Sequence, residues 1–277
     1  MEYIDVHTHL NLDAFKDDVD TVIERTLGEG VHVINVGTQY VTSARAVSFT
    51  EKYKTGVYAT VGLHPTNVIL GHVDADDFPD EETGARESGE FFDAAQYEKF
   101  LRNERVVAIG ECGLDYCRSS SAEVKRNQIE VFEAQIAFAN KANKPLMLHI
   151  RSGEEGNAYK EAYDILKRQA NVLGNSHFFA GDIEDAKRFW DLGYTTSFTG
   201  VLTFTDAYDE LVRHAPCELL LAETDAPYVT PVPHRGKRNE PVFVREVVER
   251  MAQIRKVDVE ILKNILTENA KRLFSID

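Results

Sequence analysis

Short apolar runs alternate with longer amphipathic stretches along almost the whole chain. The short runs predict strands at Ile4–His7, Val31–Val36, Gly56–Val61, Val106–Ile109, Pro145–Ile150, Val172–His177, Tyr194–Ser197 and Glu218–Ala222. Helical spacing fills the gaps between most of them, at Phe15–Leu27, Ser43–Tyr53, Ala122–Ala142, Ala158–Gln169, Ile183–Leu192, Ala207–His214 and Val242–Gln253. The first of these follows Asn11 and Asp13 and stops before Gly28, which are ordinary start and stop signals. Within 122–142, Ile129, Phe132, Ile136 and Phe138 fall near one face. The tail Val257–Phe274 predicts a last helix closing one end of the fold, with Ile261, Leu262, Ile265 and Leu266 inward. Strands alternating with helices imply right-handed βαβ units and a parallel sheet. Eight such strands predict an α/β fold closed into a (β/α)8 TIM barrel. An open doubly wound sheet fits less well, because no Gly-rich loop follows the first strand. No linker or composition shift divides the chain, so residues 1–277 are expected to form one domain, near the about 250 residues usual for such a barrel.

The net charge of −15 argues against a protein that coats nucleic acid through a broad basic face. It leaves room for an enzyme that takes one phosphate into a pocket whose field is set by bound cations. Gly71–Asp93 holds nine acids and a single basic residue, Arg86, and is expected to be a solvated excursion on a βα loop. Cys112, Cys117 and Cys217 are odd in number and match no zinc-ribbon spacing, which points to a reduced, cytoplasmic setting. Asp5, His7 and His9 interrupt the only N-terminal apolar run, so no signal peptide is expected. No stretch approaches the roughly 20 apolar residues that cross a bilayer, so no membrane partner is expected either.

Candidate chemistry sits where strands end. In Asp5-Val6-His7-Thr8-His9, the twofold repeat of a strand points His7 and His9 the same way, with Asp5 beside them to orient a ring or hold the strand end. Glu111 follows the fourth predicted strand, between Gly110 and Gly113, with Asp115 as a loop brace. His149 ends the fifth strand, with Arg151 pointing the same way two residues later; His177 ends the sixth and Asp225 follows the eighth. In a closed barrel these ends share one mouth, the catalytic face of the fold. His7, His9, Glu111, His149, His177 and Asp225 are then six ligands. That is too many for one tetrahedral zinc with an open position and suits two divalent ions, Zn, Mn or Mg, about 3.5–4 Å apart. Glu111 and Asp225 are the candidates to bridge the ions or touch the water between them. His64 reaches the same mouth as a candidate substrate contact, and the loop 233–241, with Arg235, Lys237, Arg238 and Asn239, is a candidate phosphate-binding loop. His32, His72 and His214 are expected to be structural or solvated.

These motifs, together with Val61-Gly62-Leu63-His64-Pro65, Gln128 with Phe132 and Gln135, His177-Phe178-Phe179-Ala180-Gly181, Glu223-Thr224-Asp225-Ala226-Pro227-Tyr228 and His234-Arg235-Gly236-Lys237-Arg238-Asn239-Glu240-Pro241, run nearly end to end. In that order the chain resembles the TatD family of metal-dependent deoxyribonucleases, among the amidohydrolase-like barrels. The resemblance implies a two-metal site and hydrolysis of DNA phosphodiesters, often from the 3′ ends of single strands. It implies one metal on His7, His9, Glu111 and Asp225 and the other on Glu111, His149 and His177. His64, Arg151 and the loop from His234 to Asn239 would face the scissile and neighbouring phosphates.

The expected reaction is phosphodiester hydrolysis with Asp225 as general base and Arg151 steadying the added negative charge. The rival enzyme is a barrel amidohydrolase acting on a small amide, ester or lactone. A non-catalytic nucleic-acid-binding barrel is opposed by the net charge and by the full ligand set. The oligomeric state has no signature in the sequence.

Overall fold

The computed structural model describes residues 3–68, 91–118, 121–154 and 156–277. Eight parallel strands pair in chain order: β1 (Tyr3–Thr8), β2 (Val31–Val36), β3 (Val57–Val61), β4 (Val106–Asp115), β5 (Leu146–Arg151), β6 (Gly174–Ser176), β7 (Thr195–Phe198) and β8 (Leu220–Ala222). Beyond β8 the chain returns to β1. Thr8 bridges Ala226, the His9 N–H donates to the Ala226 carbonyl at 2.7 Å, and the Asp225 N–H donates to the His7 carbonyl at 2.9 Å. The sheet is thereby a nearly closed barrel of TIM type, and the open doubly wound alternative is excluded. Helices α1 (Val19–Gly28), α2 (Tyr40–Lys52), α3 (Ala94–Tyr97), α4 (Ala122–Ala142), α5 (Ala158–Gln169), α6 (Ile183–Asp191), α7 (Asp209–His214), α8 (Val244–Arg255) and α9 (Val259–Phe274) connect and flank the strands.

Four of the longer helices begin where a short polar side chain satisfies a first-turn N–H group. Ser121 accepts from Val124 N at the start of α4, Asn157 from Lys160 N at α5, Asp182 from Asp185 N at α6 and Asp258 from Glu260 N at α9. Apolar helix faces bury Phe132, Ile136, Tyr159, Leu166, Phe189 and Val247 against the outer side of the sheet. Inside the barrel, Ile4, Val6, Ile34, Val36, Met147 and Leu221 pack against Ala270 and Phe274 of α9, with Ile276 just beyond it. The last helix does close the barrel, but only part of the predicted face turns inward. Leu262 and Leu266 are buried, Ile265 is half-buried and Ile261 is 58% exposed. The deepest plug comes from the helix's final turn, which lies under the strands. Among the described residues no helix is long and apolar enough to cross a membrane.

β4 is the strand that departs most from expectation. It does not stop at Ile109 but runs on to Asp115. Its register with β5 shifts between Ile109 and Cys112. The shift requires glycine. A Cβ on Gly110 would stand 2.3 Å from the Met147 carbonyl oxygen, and one on Gly113 would stand 2.1 Å from that of His149; both residues have φ above +140°. Across the bulge the Glu111 N–H reaches the Gly37 carbonyl at 2.9 Å, which anchors it beyond the end of β2. Most of the acidic stretch 71–93 lies outside the described residues. At its end, Phe92 packs on Leu63, Val68 and Val131, and Asp93 caps α3 by accepting from Ala95 N.

Candidate metal centre

β1 sends His7 and His9 into the mouth of the barrel as the alternation predicted. Their Nε2 atoms lie 3.1 Å apart. Glu111 Oε2 is 3.5 Å from His7 Nε2 and 3.6 Å from His9 Nε2, and Asp225 Oδ1 is 3.7 and 3.4 Å from the same two atoms. A tetrahedral ion bound about 2.0–2.1 Å from each ligand needs ligands about 3.3 Å apart. The atoms of His7, His9 and Glu111 are spaced to share one cation, with Asp225 Oδ1 beside the two imidazoles.

The other oxygen of Glu111 faces a second group. Oε1 lies 2.9 Å from His149 Nδ1 and 2.9 Å from His177 Nε2, and those two nitrogens are 3.2 Å apart. His64 Nε2 approaches the same oxygen at 3.4 Å, and its ring lies edge-on to His149 with centroids 4.2 Å apart. His7 and His177 stack at 3.8 Å between the two groups. All six predicted ligands therefore meet in one place, and His64 joins them. Each carboxylate of the set is buried or nearly so, and Glu111 is only 3% exposed.

The outer nitrogens show how the rings are held. His9 Nδ1 pairs with the Val36 carbonyl at 3.0 Å, and His149 Nε2 pairs with Asp115 Oδ2 at 3.1 Å. His177 Nδ1 faces Glu223 Oε1 at 3.4 Å. Rings steered from behind by a carbonyl or carboxylate turn their other nitrogen inward as a lone pair, which is how metal-binding histidines are commonly oriented. Asp115 thus orients a ring besides bracing its loop, where its Oδ1 accepts from Cys117 N and Arg118 N. Asp5 holds the strand end. Its carboxyl accepts from Thr224 N at 2.9 Å and meets Thr224 Oγ1 at 2.5 Å.

Charge inside the cluster follows from this packing. Burial opposes the charge on Glu111, yet the imidazoles of His177, His64 and His7 hold its carboxyl well below the ordinary range. Burial works against Asp225 in the same way, and the His9 hydrogen bond with the charges of His177 and His7 holds it down. Burial disfavours a charged His177, but Glu111 and Glu223 raise it well above the ordinary value; His7 is lowered by burial and by His177. Two imidazole nitrogens about 3.1 Å apart can share at most one proton. Two such contacts beside ionised, buried carboxylates are a donor set that fits divalent cations.

The basic loop has a different fate. Asn239 is fully buried, and its Nδ2 donates to the Thr224 and Tyr228 carbonyls. Arg238 pairs with Asp18 at 2.6 Å, reaches Glu240 at 3.3 Å and stacks over Phe15 at 4.3 Å. Arg235 donates to the Thr230 carbonyl and covers Phe204 at 4.1 Å, and Lys237 is exposed. None of the four lines the mouth cavity, which has a volume of about 350 Å³. Arg151 does line it. So do Arg118, Phe178, Tyr208 and Tyr228, which pattern alone did not single out. Glu223 was also passed over as a site residue. The one signal for it was its place two residues before Asp225 on the same strand end. His32 and His214 lie away from the mouth, His214 on its own helix carbonyl at Glu210, and His72 falls outside the described residues.

A family model described as TatD related DNase matches residues 4–275. The chain belongs to the TatD family. Among its TatD relatives, the Bacillus subtilis (strain 168) protein named "Uncharacterized metal-dependent hydrolase YabD" is 38% identical over 99% of both chains. The Edwardsiella piscicida protein named "3'-5' ssDNA/RNA exonuclease TatD" is 31% identical, again over 99% of both. The crystal structure of YJJV, a TatD homolog from Escherichia coli K12, superposes with a TM-score of 0.82 at 26% identity, covering 100% of this chain and 99% of that one. A TatD-family metal-dependent hydrolase is thus the coarse identity of the protein.

Proposed function

We propose that this TatD-family chain hydrolyses phosphodiester bonds of DNA through two divalent cations, Zn, Mn or Mg, working from the 3′ ends of single strands. One observation carries the reading: Glu111 turns Oε2 to His7 and His9 and Oε1 to His149 and His177, so a single carboxylate serves two ligand groups. The exonuclease name of one relative and the DNase description of the family model support nucleic acid as the substrate.

In this reading His7, His9, Glu111 and Asp225 hold one ion, and Glu111, His149 and His177 hold the other. When bound, two such ions make water a nucleophile near neutral pH and offset charge on a phosphoryl group. Asp225, kept ionised by its neighbours, takes the proton of the attacking water as general base. Arg151 and His64 line the mouth where the scissile phosphate is bound, and Arg151 donates to its non-bridging oxygens as negative charge grows. The water oxygen bonds to phosphorus, the bond to the 3′-oxygen breaks, and that oxygen takes a proton from solvent and leaves as the new 3′-hydroxyl. The released nucleotide keeps the 5′-phosphate. A reducing, cytoplasmic setting belongs to the same reading, since Cys112, Cys117 and Cys217 are free thiols.

The test is elemental analysis of the purified protein joined to a metal-titrated assay on 3′- and 5′-labelled single-stranded oligonucleotides, with amides, esters and lactones in parallel. Two ions per chain and stepwise shortening from the 3′ end are expected. Turnover of amides or lactones with intact oligonucleotides would establish the amidohydrolase instead.

A further inference from the structure

Two aromatic rings at the mouth stand next to the two halves of the imidazole–carboxylate cluster. Tyr228 lies edge-on to His9 with centroids 6.3 Å apart, and Phe178 lies edge-on to His177 at 6.5 Å. Both line the mouth cavity; Tyr228 is 37% exposed and Phe178 half-buried. Neither belongs to the apolar core, so burial does not explain their size.

Backbone that side chains rarely adopt lies at one ring and directly after the other. Phe178 has φ +39°, and its N–H donates to the buried Glu223 Oε1 at 2.6 Å. Val229, directly after Tyr228, has φ +54°, which is a genuine outlier for a β-branched residue. The Tyr228 N–H donates to the Asp225 carbonyl at 2.8 Å, and its own carbonyl accepts from the buried Asn239 Nδ2 at 2.5 Å. Strained backbone persists only where its surroundings over-determine it, and it clusters at ligand clamps. Here it aims two rings at one cavity. Arg118, three residues beyond β4, and Arg151, at the end of β5, line the same cavity. The mouth therefore offers cations for a backbone and flat apolar faces for what the backbone carries.

We propose that Phe178 and Tyr228 form a stacking clamp for the two bases that flank the scissile phosphate of a single-stranded DNA end. The inference rests on the nuclease reading above and adds the source of its strand preference. A base at a duplex end is held by its pair and by the neighbour it stacks on, whereas an unpaired end can lay its bases on the rings. Stacking takes any base, because every base has a π-face, so the clamp selects single strands without selecting sequence. Asn239 and Glu223 act as positioning residues for the clamp, through the backbone of Tyr228 and Phe178.

The experiment is a double-mutant cycle between ring and base. The metal-loaded protein is assayed on a single-stranded oligonucleotide and on two versions with an abasic tetrahydrofuran unit, one on each side of the 3′-terminal phosphodiester. Tyr228→Ala and Phe178→Ala are each expected to raise KM on the intact strand by about five- to a hundredfold. On the abasic strand whose missing base it would have held, each variant should lose little beyond what the wild type already loses. Tyr228→Trp should recover the intact-strand KM, which a merely structural tyrosine would not allow. Should an alanine variant fail to fold, the wild type alone still decides, because it must discriminate against both abasic ends. Equal cleavage of intact and abasic ends, or losses that add in full, overturns the clamp while leaving the nuclease reading standing. No cleavage of any oligonucleotide at any metal load overturns that reading and the clamp with it.

Discussion

At the barrel mouth, His7, His149 and Asp225 arrive from strands far apart in sequence and leave nitrogens and oxygens facing one another. In the loop 233–241, Arg235, Lys237 and Arg238 are near neighbours in sequence, yet none of them lines the mouth cavity. Arg238 spends its donors on Asp18 and the Ala14 carbonyl, and Asn239 spends its amide on two backbone carbonyls. The difference is one of satisfaction. The mouth gathers more ligand atoms than the protein's own protons can pair. Arg238 and Asn239 match their donors to acceptors already in the chain, and so tie the segment after β8 to the segment before α1. Density of charge in a sequence is a weaker sign of a site than convergence of unmet atoms in space.

The comparison is broken most decisively at Glu111. Glu111→Gln should abolish metal-supported hydrolysis by orders of magnitude and lower the bound metal at both positions, with far-ultraviolet circular dichroism unchanged; full metal content in that variant would end the shared-carboxylate account. Next comes Asp225→Asn, expected to keep the fold and to cut turnover by orders of magnitude. Wild-type turnover in that variant would remove Asp225 as base.

Metal removal separates the two regions by stability. Ligands that bind only the folded state stabilise it by about 2.7 kcal/mol at a hundred times Kd. Zinc or manganese should therefore raise the melting temperature of the wild type. A chelator should reverse the rise, and Glu111→Gln should blunt it. A rise of equal size in Glu111→Gln would place the cation elsewhere. Glu223→Gln should cost a more modest 10–100-fold, in the range usual for partners that orient a ligand, visible as weaker metal affinity in titration.

The smallest effect belongs to the loop. Arg238 pairs with a partly exposed Asp18, a contact worth roughly 0.2–1 kcal/mol after solvent screening. The guanidinium beside Asp18 lowers its pKa, so the contribution is present above the carboxylate range of the unfolded chain and fades as pH falls through the lower folded value. Arg238→Ala should lose stability near neutral pH and lose less on acidification than the wild type, as read by denaturant melts. If it instead raises KM for oligonucleotides more than Arg151→Ala does, the loop belongs to the substrate track and the contrast drawn here fails.

Much of the architecture was legible because periodicity is local. The spans Val31–Val36, Ala122–Ala142 and Ala158–Gln169 match their predicted bounds. Where boundaries moved, a distant partner moved them. β4 continues past Ile109 because glycines let it press on β5, and Ile261 faces solvent because the barrel floor meets α9 nearer its end. The six candidate ligands were legible because each sits at the end of an apolar run, and a closed barrel sends such ends to one mouth. Arg118 lies in none of the motifs, and Glu223, Phe178 and Tyr228 lie in two of them without a role, since a run of residues does not show which side chain orients a ring and which walls a cavity.

By itself, then, the sequence determined the alternation of strands and helices, the barrel class and the set of imidazoles and carboxylates at strand ends. Those follow from the two- and 3.6-residue periods that side chains obey along a backbone. Only the tertiary structure decided that Glu111 divides its oxygens between two groups, that the basic loop is held by Asp18 and by backbone carbonyls, and that Phe178 and Tyr228 face the cavity. Those outcomes depend on which atoms from remote segments come within about 3 Å of one another, a distance set by register, bulge and packing rather than by any residue's own preference.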